Sequence, residues 1–370
     1  MRIGINTRSL LGQKMEGFGN YTLELVKRLT IAHPEHTFIC YFDRPVDPQF
    51  SFGPNVICKS IFPPTRHPFL YVIWFQWRLR RAIQKDQLDV FWSPDGMFPL
   101  GIQTPVLATI HDLNFEHFPQ DLPKWVAWYY KKYFPKFAKA ANKIITVSQT
   151  TKDDITATYQ IEQEKISVIY NGVNQAFQPL SSDEKTFFTQ DEDFPESYFL
   201  FVGSLHPRKN IHRLLEAYQQ FATSNSETAL VIVGSAMWDA QQFEIQADLK
   251  KRIYFLGHVD TQKLAFIMAA ATAFVYIPYF EGFGMPLAEA MASQTPIIAG
   301  NKSCLPEIAA DAALYVDPYN IEEIAKAMAQ LKNDVALQSQ LVEAGKKRAL
   351  AFNWDHAAEK VWKEILLLVS

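Results

Sequence analysis

The stretch Ile277–Ser293, IPYFEGFGMPLAEAMAS, decides the fold that is predicted for this chain. It overlaps the end of an apolar run, Ala273–Ile277, which has the length and composition of a buried strand. Gly282 and Gly284 then supply a loop whose backbone is not restricted by side chains. Pro286 is a favoured first residue of a helix, and the residues after it are strong helix formers. The sequence therefore predicts a strand, a glycine loop and the N-terminus of a helix.

This order of elements suits a ligand that carries both an anion and hydroxyl groups. The free N–H groups of a first helical turn, together with the helix dipole, favour negative charge at that end. Glu281 precedes the loop and Glu289 lies one turn into the helix, and carboxylates accept hydrogen bonds from sugar or ribose hydroxyls. Backbone donors for phosphate and two carboxylates for hydroxyls together suit a nucleotide sugar. The alternative is an ordinary strand-to-helix turn with surface acids.

The segment Glu281–Ala290, EGFGMPLAEA, resembles the signature of the retaining glycosyltransferases of family 4, in which two glutamates flank seven residues. Proteins of that family have the GT-B fold. The resemblance implies that Glu281 contacts hydroxyls of the donor sugar and that Glu289 holds the ribose hydroxyls. It also implies a backbone lining for the sugar and phosphate, formed by Gly282, Phe283, Gly284, Met285 and Pro286.

A second glycine-led loop carries two adjacent cations. The strand predicted at Tyr198–Val202 is followed by Gly203–Asn210, GSLHPRKN, which contains Arg208 and Lys209. Two cations after a buried strand suit a diphosphate, because guanidinium and ammonium groups form charge-assisted hydrogen bonds with phosphate. The resemblance implies that this pair grips the donor diphosphate and stabilises the charge of the leaving group. A solvated basic loop is the alternative.

A histidine follows one of the strands predicted in the first half of the chain. The strand Val106–Ile110 ends at His111 and Asp112. In parallel sheets the ligand lies beyond the carboxyl ends of the strands, so His111 is well placed to contact it. The resemblance implies that His111 contacts the sugar ring, whereas Asp112 is expected to form a turn or to orient its neighbour. A structural histidine is the alternative.

Two further loops take a role only through the resemblance. Gly17, Phe18 and Gly19 close a long loop after the first strand, and this loop lacks the tight GxGxxG turn of a dinucleotide-binding fold. The resemblance places it near the acceptor and the donor phosphate, although a plain helix entry fits the same residues. It places His258 and Val259, which follow a later strand, at the base of the nucleotide.

Strands and helices alternate through both halves of the chain, which predicts two doubly wound parallel sheets of Rossmann-like topology. The GT-B resemblance implies that the two domains face each other across a cleft. The predicted domains are residues 1–175, which bind the acceptor, and residues 176–354, which bind the nucleotide sugar. A polar linker is predicted at residues 178–196. The C-terminal helix, residues 355–370, is expected to cross back to the first domain.

Composition limits the function further. The chain has 370 residues, of which 48% are hydrophobic and 20% charged, as in folded proteins. The net charge of −3 gives no overall attraction to nucleic acid, so no nucleic-acid partner is expected. Cys40, Cys58 and Cys304 follow neither a disulfide framework nor a metal-ligand spacing. The chain starts without the apolar core of a signal peptide and lacks an apolar run of about 20 residues, which predicts a cytoplasmic protein.

Together these features and the resemblance predict a hexosyltransferase of polysaccharide or glycoconjugate biosynthesis, and the resemblance alone implies that it retains the configuration of the sugar. The donor is expected to be UDP-glucose first and GDP-mannose next, and the acceptor a saccharide or a lipid-linked saccharide. No cofactor and no metal are expected, because no paired carboxylates of the Asp-x-Asp type follow a strand. Glu16 is the only carboxylate in the first loop, which is compatible with retention. The resemblance implies that the departing phosphate deprotonates the acceptor. A GT-B sugar-nucleotide epimerase and a non-catalytic sugar-nucleotide-binding protein remain alternatives.

Two segments of the first domain combine basic and aromatic residues. Residues 66–86 and 121–143 interleave lysine or arginine with tryptophan, tyrosine and phenylalanine, and their only acids are Asp86 and Asp121. A basic and aromatic helix face suits the surface of an anionic membrane, which predicts peripheral contact at its inner face. The alternative is that the aromatic rings pack in the core while the lysines reach water.

Overall fold

A computed structural model describes most of the chain and divides it into two compact units. The units are Met1–Gly172 with Asn353–Ser370, and Val173–Phe352, while the sequence predicts the boundaries at residues 175 and 354. Glu16, Arg66 and much of the predicted linker lie outside the described residues. The described residues are 1–12, 15, 17–65, 67–181, 183–184, 194–225, 227–234, 245–246 and 248–369.

The first unit is built on a parallel sheet. Its described strands are β1 (Arg2–Asn6), β2 (Thr37–Phe42), β3 (Val56–Ser60), β4 (Val90–Ser93), β5 (Val106–Thr109), β6 (Lys143–Thr146) and β7 (Ile166–Val168). They lie in the order β3-β2-β1-β4-β5-β6-β7. Because β1 pairs with both β2 and β4, the strand order reverses there, and the loops after β1 and β4 leave the sheet side by side. We call this position the first switch point.

Helices cover this sheet. Those described are α1 (Gly17–Ala32), α2 (Pro68–Val72), α3 (Arg80–Asp86), α4 (Asn114–His117), α5 (Lys124–Ala140) and α6 (Gln149–Tyr159). A π-helical segment, Ile73–Leu79, connects α2 and α3. Ser148 caps α6, because its Oγ accepts the N–H of Thr151 at 3.1 Å.

The loop predicted at Gly17, Phe18 and Gly19 is wrong, because these residues form the first turn of α1. The reason lies in the packing of the preceding segment. A Cβ atom at Gly19 would stand 2.8 Å from the carbonyl oxygen of Ser9, so a glycine is required for close approach rather than for a loop conformation.

The second unit contains another parallel sheet. Its described strands are β8 (Tyr198–Val202), β9 (Ala229–Val233), β10 (Ile253–Gly257), β11 (Ala273–Tyr276), β12 (Ile297–Gly300) and β13 (Leu314–Val316). They lie in the order β10-β9-β8-β11-β12-β13. The order reverses between β8 and β11, which we call the second switch point. All residues of β8 and β11 are buried, as expected for central strands with helices on both faces.

Helices also cover the second sheet. Those described are α7 (Ile211–Ala222), α8 (Thr261–Ala270), α9 (Met285–Ala292), α10 (Leu305–Ala309), α11 (Ile321–Asn333) and α12 (Val335–Ala349). The last of these begins directly after Asp334. Asp334 caps this helix, since its Oδ1 accepts the N–H of Leu337 at 2.9 Å.

The last helix, α13 (Trp354–Leu366), belongs to the first unit and packs on α1. Asp355 forms an ion pair with Arg28 at 2.6 Å, and the ring of Trp362 stacks on that of His33 at 3.7 Å between centroids. Among the described helices, none combines the length and the apolar character needed to cross a bilayer.

Candidate active site

The two loops at the second switch point bring distant residues together. The loop after β8 contains the short 3-10 turn Pro207–Lys209, and the loop after β11 leads to α9. The N–H of Tyr279 donates to the carbonyl oxygen of Arg208 at 3.1 Å, which joins the loops. Because β8 and β11 are paired, Arg208 meets Glu281 although the two are 73 positions apart in sequence.

Arg208, Lys209, Tyr276 and Glu281 form one connected group, which we call the Glu281 cluster. Nη1 of Arg208 donates to Oε1 of Glu281 at 2.6 Å, and Nζ of Lys209 donates to the same oxygen. Nζ of Lys209 also donates to the hydroxyl of Tyr276 at 2.7 Å. Lys209 and Glu281 are each only 7% exposed. Two cations around one carboxylate leave a surplus of positive charge at this position.

The charge states within the Glu281 cluster follow from burial and from the neighbouring charges. Burial alone would raise the pKa of Glu281, but the cations of Arg208 and Lys209 lower it to about 2. Burial and the nearby carboxylate raise the pKa of Tyr276 well above its usual value. Glu281 is therefore ionised and Tyr276 protonated across the physiological pH range.

Ser303, which the sequence analysis did not single out, holds the backbone of Glu281. Its Oγ donates to the carbonyl oxygen of Glu281 at 2.6 Å and accepts the N–H of Glu281 at 3.1 Å. Ser303 itself has a φ angle of 56°, in the left-handed region that non-glycine residues rarely adopt. It comes from the loop after β12, the strand next to β11, so only the strand order reveals it.

The glycine loop enters α9 in the way its sequence suggests. Gly284 is the N-cap with a φ angle of 81°, a conformation that glycine adopts without strain. The helix begins at Met285, so Pro286 is its second residue rather than its first. The ring of Phe283 is 4% exposed and packs edge-on against Phe352, so only the backbone of Phe283 is available to a ligand.

Glu289 differs sharply from Glu281. Its side chain is half-buried on α9, and burial raises its pKa to about 7. Within the part of the chain that the structure describes, its carboxylate contacts no cation and no hydrogen-bond donor. Glu289 is therefore a carboxylate that burial destabilises and that has room for a hydrogen-bond donor.

The residues predicted to meet the base follow another strand of the same sheet. His258 is exposed and Val259 half-buried after β10, the edge strand, which β9 separates from β8. Parallel strands end at one edge of a sheet, so this loop and the Glu281 cluster share that edge. Among the contacts of the described residues, none joins the two.

In the first unit, Phe18 and His111 come together. Their ring centroids are 4.7 Å apart, and the ring of Tyr21 contacts His111 edge-on at the same distance. Nε2 of His111 lies 2.7 Å from the carbonyl oxygen of Pro94, which can only accept, so Nε2 carries the proton and Nδ1 is the acceptor. Burial lowers the pKa of His111, which favours this neutral form. Asp112 forms a turn, because its Oδ1 accepts the N–H of Asn114 at 3.0 Å.

Two family models match the chain. Residues 15–177 match the model described as Glycosyltransferase Family 4, and residues 182–348 match the one described as Glycosyl transferases group 1. The chain belongs to glycosyltransferase family 4. The predicted family is therefore confirmed, and the match extends to the first domain, where the sequence motifs are weakest.

Individual relatives and solved structures agree with this assignment. The O-antigen chain mannosyltransferase RfbU of Salmonella typhimurium is 29% identical over 347 residues, which cover 89% of this chain and 93% of that protein. The O-antigen chain mannosyltransferase B of Escherichia coli is 27% identical over 372 residues, or 96% and 97% of the two chains.

Sucrose-phosphate synthase from Thermosynechococcus elongatus superposes with a TM-score of 0.79 at 20% identity, covering 99% of this chain and 98% of that one. Anabaena Alr3699/HepE, in complex with UDP and glucose, has a TM-score of 0.76 at 17% identity, with 99% of each chain covered. These structures confirm the predicted GT-B fold of this glycosyltransferase.

An ion pair at the first switch point was missed by the sequence analysis. Nε of Arg8, in the loop after β1, donates to Oδ2 of Asp95, in the loop after β4, at 2.6 Å. Oδ1 of Asp95 accepts from Nδ2 of Asn6 at 2.8 Å and from the N–H of Met97 at 3.1 Å. We call these residues the Arg8–Asp95 pair. Both side chains are largely buried, and the signal that would reveal them is the strand pairing, which the sequence does not show.

Carboxylates, histidines and cysteines do not gather as metal ligands in the described parts of the glycosyltransferase, where no group of three such side chains could hold an ion. The charged side chains at both switch points are instead paired with each other.

Proposed function

We propose that this glycosyltransferase transfers a hexose, with retention of configuration, from a nucleoside diphosphate sugar to a saccharide or lipid-linked saccharide. The pathway class is polysaccharide or glycoconjugate biosynthesis in the cytoplasm. Mannose from a GDP-mannose type of donor comes before glucose from UDP-glucose, which reverses the order expected from sequence. The reason is that the two relatives aligned over nearly their whole length are both named O-antigen chain mannosyltransferases.

The Glu281 cluster is the observation that carries this proposal. As the bond from sugar to diphosphate breaks, negative charge develops on the diphosphate. Arg208 and Lys209 are already held by Glu281, so they can stabilise that charge without reorganising. Both cations contact Oε1 of Glu281, and we assign Oε2 to a hydroxyl of the donor sugar. The positive surplus of the cluster matches the diphosphate, and its single carboxylate matches the sugar.

The remaining site residues receive their roles from the family resemblance. Glu289 accepts hydrogen bonds from the ribose hydroxyls, and His111 contacts the sugar ring with Nδ1 as its acceptor. We assign the segment of Gly17, Phe18 and Gly19 to contact with the acceptor and the donor phosphate. We assign the loop of His258 and Val259 to binding of the nucleotide base. Retention follows if the departing phosphate removes the proton from the acceptor.

We also propose that the reaction needs no metal ion. A divalent cation would normally neutralise the diphosphate of the leaving group. Here Arg208, Lys209 and the N-terminus of α9 supply positive charge to that group, so the metal has no separate task.

The test is a binding titration of GDP against UDP, followed by turnover with the preferred sugar nucleotide in the presence of EDTA. We expect GDP to bind about tenfold or more tightly than UDP, a difference of roughly 1.4 kcal/mol. Hexose should then be transferred to an acceptor at a rate that EDTA does not change.

Other outcomes separate the alternatives. A preference for UDP would restore glucose to first place, and loss of activity with EDTA that magnesium or manganese reverses would refute metal independence. Release of an isomerised sugar nucleotide would indicate the epimerase. Binding of the donor without any turnover across a panel of acceptors would support a non-catalytic sugar-nucleotide-binding protein.

A further inference from the structure

The outward side of α5 is a surface of the first unit that the transfer reaction leaves unexplained. Two tryptophans lie on it, Trp125 with 70% and Trp128 with 50% of its surface exposed. Almost all other exposed residues of this helix are lysines. We call the following set the α5 outer face: Lys124, Trp125, Trp128, Lys131, Lys132, Lys136 and Lys139.

The structure divides the aromatic residues of α5 into two groups. Tyr129, Phe134 and Phe137 are buried, and the rings of Phe134 and Phe137 pack against Phe115 and Phe98. Packing in the core therefore explains only the inner side of the helix. The same packing holds α5 in place on the first unit. The outer face of this helix therefore needs no folding transition before it can contact a partner.

Exposed aromatic rings continue beyond α5. An earlier helix, α2, packs on α5 through Tyr71 and Tyr129, whose ring centroids are 5.2 Å apart. Phe69, two residues before Tyr71, is 67% exposed. On α5 itself, Nζ of Lys132 lies 4.6 Å from the ring centroid of Trp128, so cation and aromatic ring are presented together.

The chemistry of the α5 outer face is one-sided. Lysine ammonium groups and tryptophan N–H groups donate hydrogen bonds and accept none. The whole of α5 contains no acidic residue, although the chain as a whole has a net charge of −3. An ordinary solvated helix mixes both signs of charge. Apart from Lys131, which is paired with Glu116 of α4 at 3.9 Å, this face is therefore complementary to a surface that offers only acceptors and negative charge.

The extent of the face favours a lipid surface over a single anion. Lys124 and Lys139 are separated by about 22 Å along the helix, at about 1.5 Å per residue. One phosphate cannot span that length, whereas a layer of anionic headgroups can contact all the lysines at once. Tryptophan prefers the boundary between headgroups and acyl chains, where its ring is apolar and its N–H is hydrated. A second copy of the same face would bring lysine against lysine.

We propose that the α5 outer face docks the first unit on an anionic lipid bilayer, peripherally and reversibly. This docking does not depend on which donor the enzyme uses. It would hold the unit to which acceptor binding is assigned at the surface where a lipid-linked saccharide is found.

Co-sedimentation of the full chain with lipid vesicles tests this proposal. The vesicles are phosphatidylcholine alone, or phosphatidylcholine mixed with phosphatidylglycerol, at low and at high salt. We expect binding only to the anionic vesicles at low salt, with a shift of the tryptophan emission to shorter wavelength. Lys132→Glu with Lys136→Glu should weaken that binding about tenfold or more, since each lysine contributes attraction to the anionic surface. The double variant Trp125→Ser with Trp128→Ser should weaken vesicle binding but leave the dependence of that binding on salt concentration unchanged.

Matched controls come from α12 in the second unit and from the residue that follows it. Lys346→Glu with Lys347→Glu removes two exposed lysines elsewhere, and Leu350→Ser removes a side chain that is 80% exposed. We expect both controls to bind vesicles like the unmodified protein, and all variants to retain its circular dichroism spectrum. Absence of binding at low salt, or equal losses in controls and α5 variants, would overturn the proposal. The proposal would also be overturned if the protein bound a single-stranded oligonucleotide but no vesicles, and if the α5 variants abolished that binding.

Discussion

The two sheets of this glycosyltransferase reverse their strand order at equivalent positions, and in each a cation of one loop meets a carboxylate of the other. At the second switch point, Arg208 and Lys209 meet Glu281. At the first, Arg8 meets Asp95. The sheet orders explain this parallel, because each pair of loops follows two neighbouring central strands that diverge into opposite halves of the sheet.

The two positions differ in how their charges balance. Glu281 is shared by two cations, which leaves positive charge for a ligand. Asp95 faces one cation, and Asn6 with the N–H of Met97 satisfies the carboxylate further. The first switch point is therefore neutral, and the second is prepared for an anion. The same topology supports both arrangements, so function is determined by a few loop residues rather than by the sheet.

The largest effect is expected from Glu281→Gln. If Glu281 contacts the donor sugar as proposed, losing its carboxylate should lower kcat about 10²-fold. Affinity for the nucleoside diphosphate should stay the same or rise, because Arg208 and Lys209 are released from their carboxylate partner. The free energy of unfolding should fall by about 3 kcal/mol, since Lys209 stays buried without that partner. Steady-state kinetics, calorimetric titration and chemical denaturation measure the three quantities.

Glu322→Gln is the matched control, because Glu322 is an exposed acid on α11 of the same unit. It should leave turnover, affinity and stability unchanged. Unmodified turnover in Glu281→Gln would remove Glu281 from the site. A large loss of diphosphate affinity in that variant would mean that the cations need Glu281 to hold them in place.

The next largest effect concerns the cations themselves. Arg208→Met and Lys209→Met should each weaken binding of the nucleoside diphosphate about 10- to 100-fold, as expected for a lost hydrogen bond between charged groups. Binding of the nucleoside without phosphate should change little. Calorimetric titration with both ligands gives the ratio, and Lys326→Met, an exposed lysine on α11, is the control. Equal losses for both ligands would contradict the assignment to diphosphate.

Much of the second switch point could be predicted from sequence. The segment Glu281–Ala290 and the adjacent pair Arg208 and Lys209 are local patterns, and each follows a recognisable strand. What the sequence could not show is that these patterns share one carboxylate, because that depends on β8 pairing with β11. Ser303 escaped notice for the same reason, since its partner lies 22 positions away in another loop.

The first switch point could not be predicted, because its residues form no local pattern. Arg8 and Asp95 are 87 positions apart, and neither has a distinctive neighbour. Likewise, alternating lysine and aromatic residues in α5 predicted the helix but not which rings would be buried. The burial of Tyr129 and the exposure of Trp128 depend on the elements that cover one side of α5.

Glu289 changes its charge near neutral pH, whereas Glu281 does not. With a pKa raised to about 7, it is protonated below neutral pH and ionised above. If the carboxylate accepts from ribose hydroxyls, nucleoside affinity should fall as pH decreases below about 7, approaching tenfold per pH unit. Glu281, with a pKa of about 2, adds no slope in this range. The measurement is the dissociation constant of the nucleoside, determined by binding titrations between pH 5.5 and 8.5 in roughly one-unit steps around the pKa.

The Glu289→Gln variant should show no such pH dependence. At every pH it should bind the nucleoside more weakly than the unmodified enzyme does when Glu289 is ionised. An unchanged pH profile in that variant would show that another group titrates. A flat profile in the unmodified protein would mean that Glu289 does not hold the ribose through its carboxylate.

The smallest effect, and the one that tests the first switch point, is expected from Asp95→Asn. The carboxylate lies in the same loop as Pro94, whose carbonyl oxygen holds Nε2 of His111. Replacing it with an amide of the same shape removes the charge that fixes Arg8 and loosens that loop. We expect kcat to fall about three- to tenfold with unchanged nucleotide affinity, because we assign the donor diphosphate to the other unit. If Asp95 acts by positioning His111, the double variant Asp95→Asn with His111→Ala should be no slower than His111→Ala alone. Additive losses would instead assign Asp95 a role of its own, for example in contacting the acceptor, and the two switch points would then both be ligand sites.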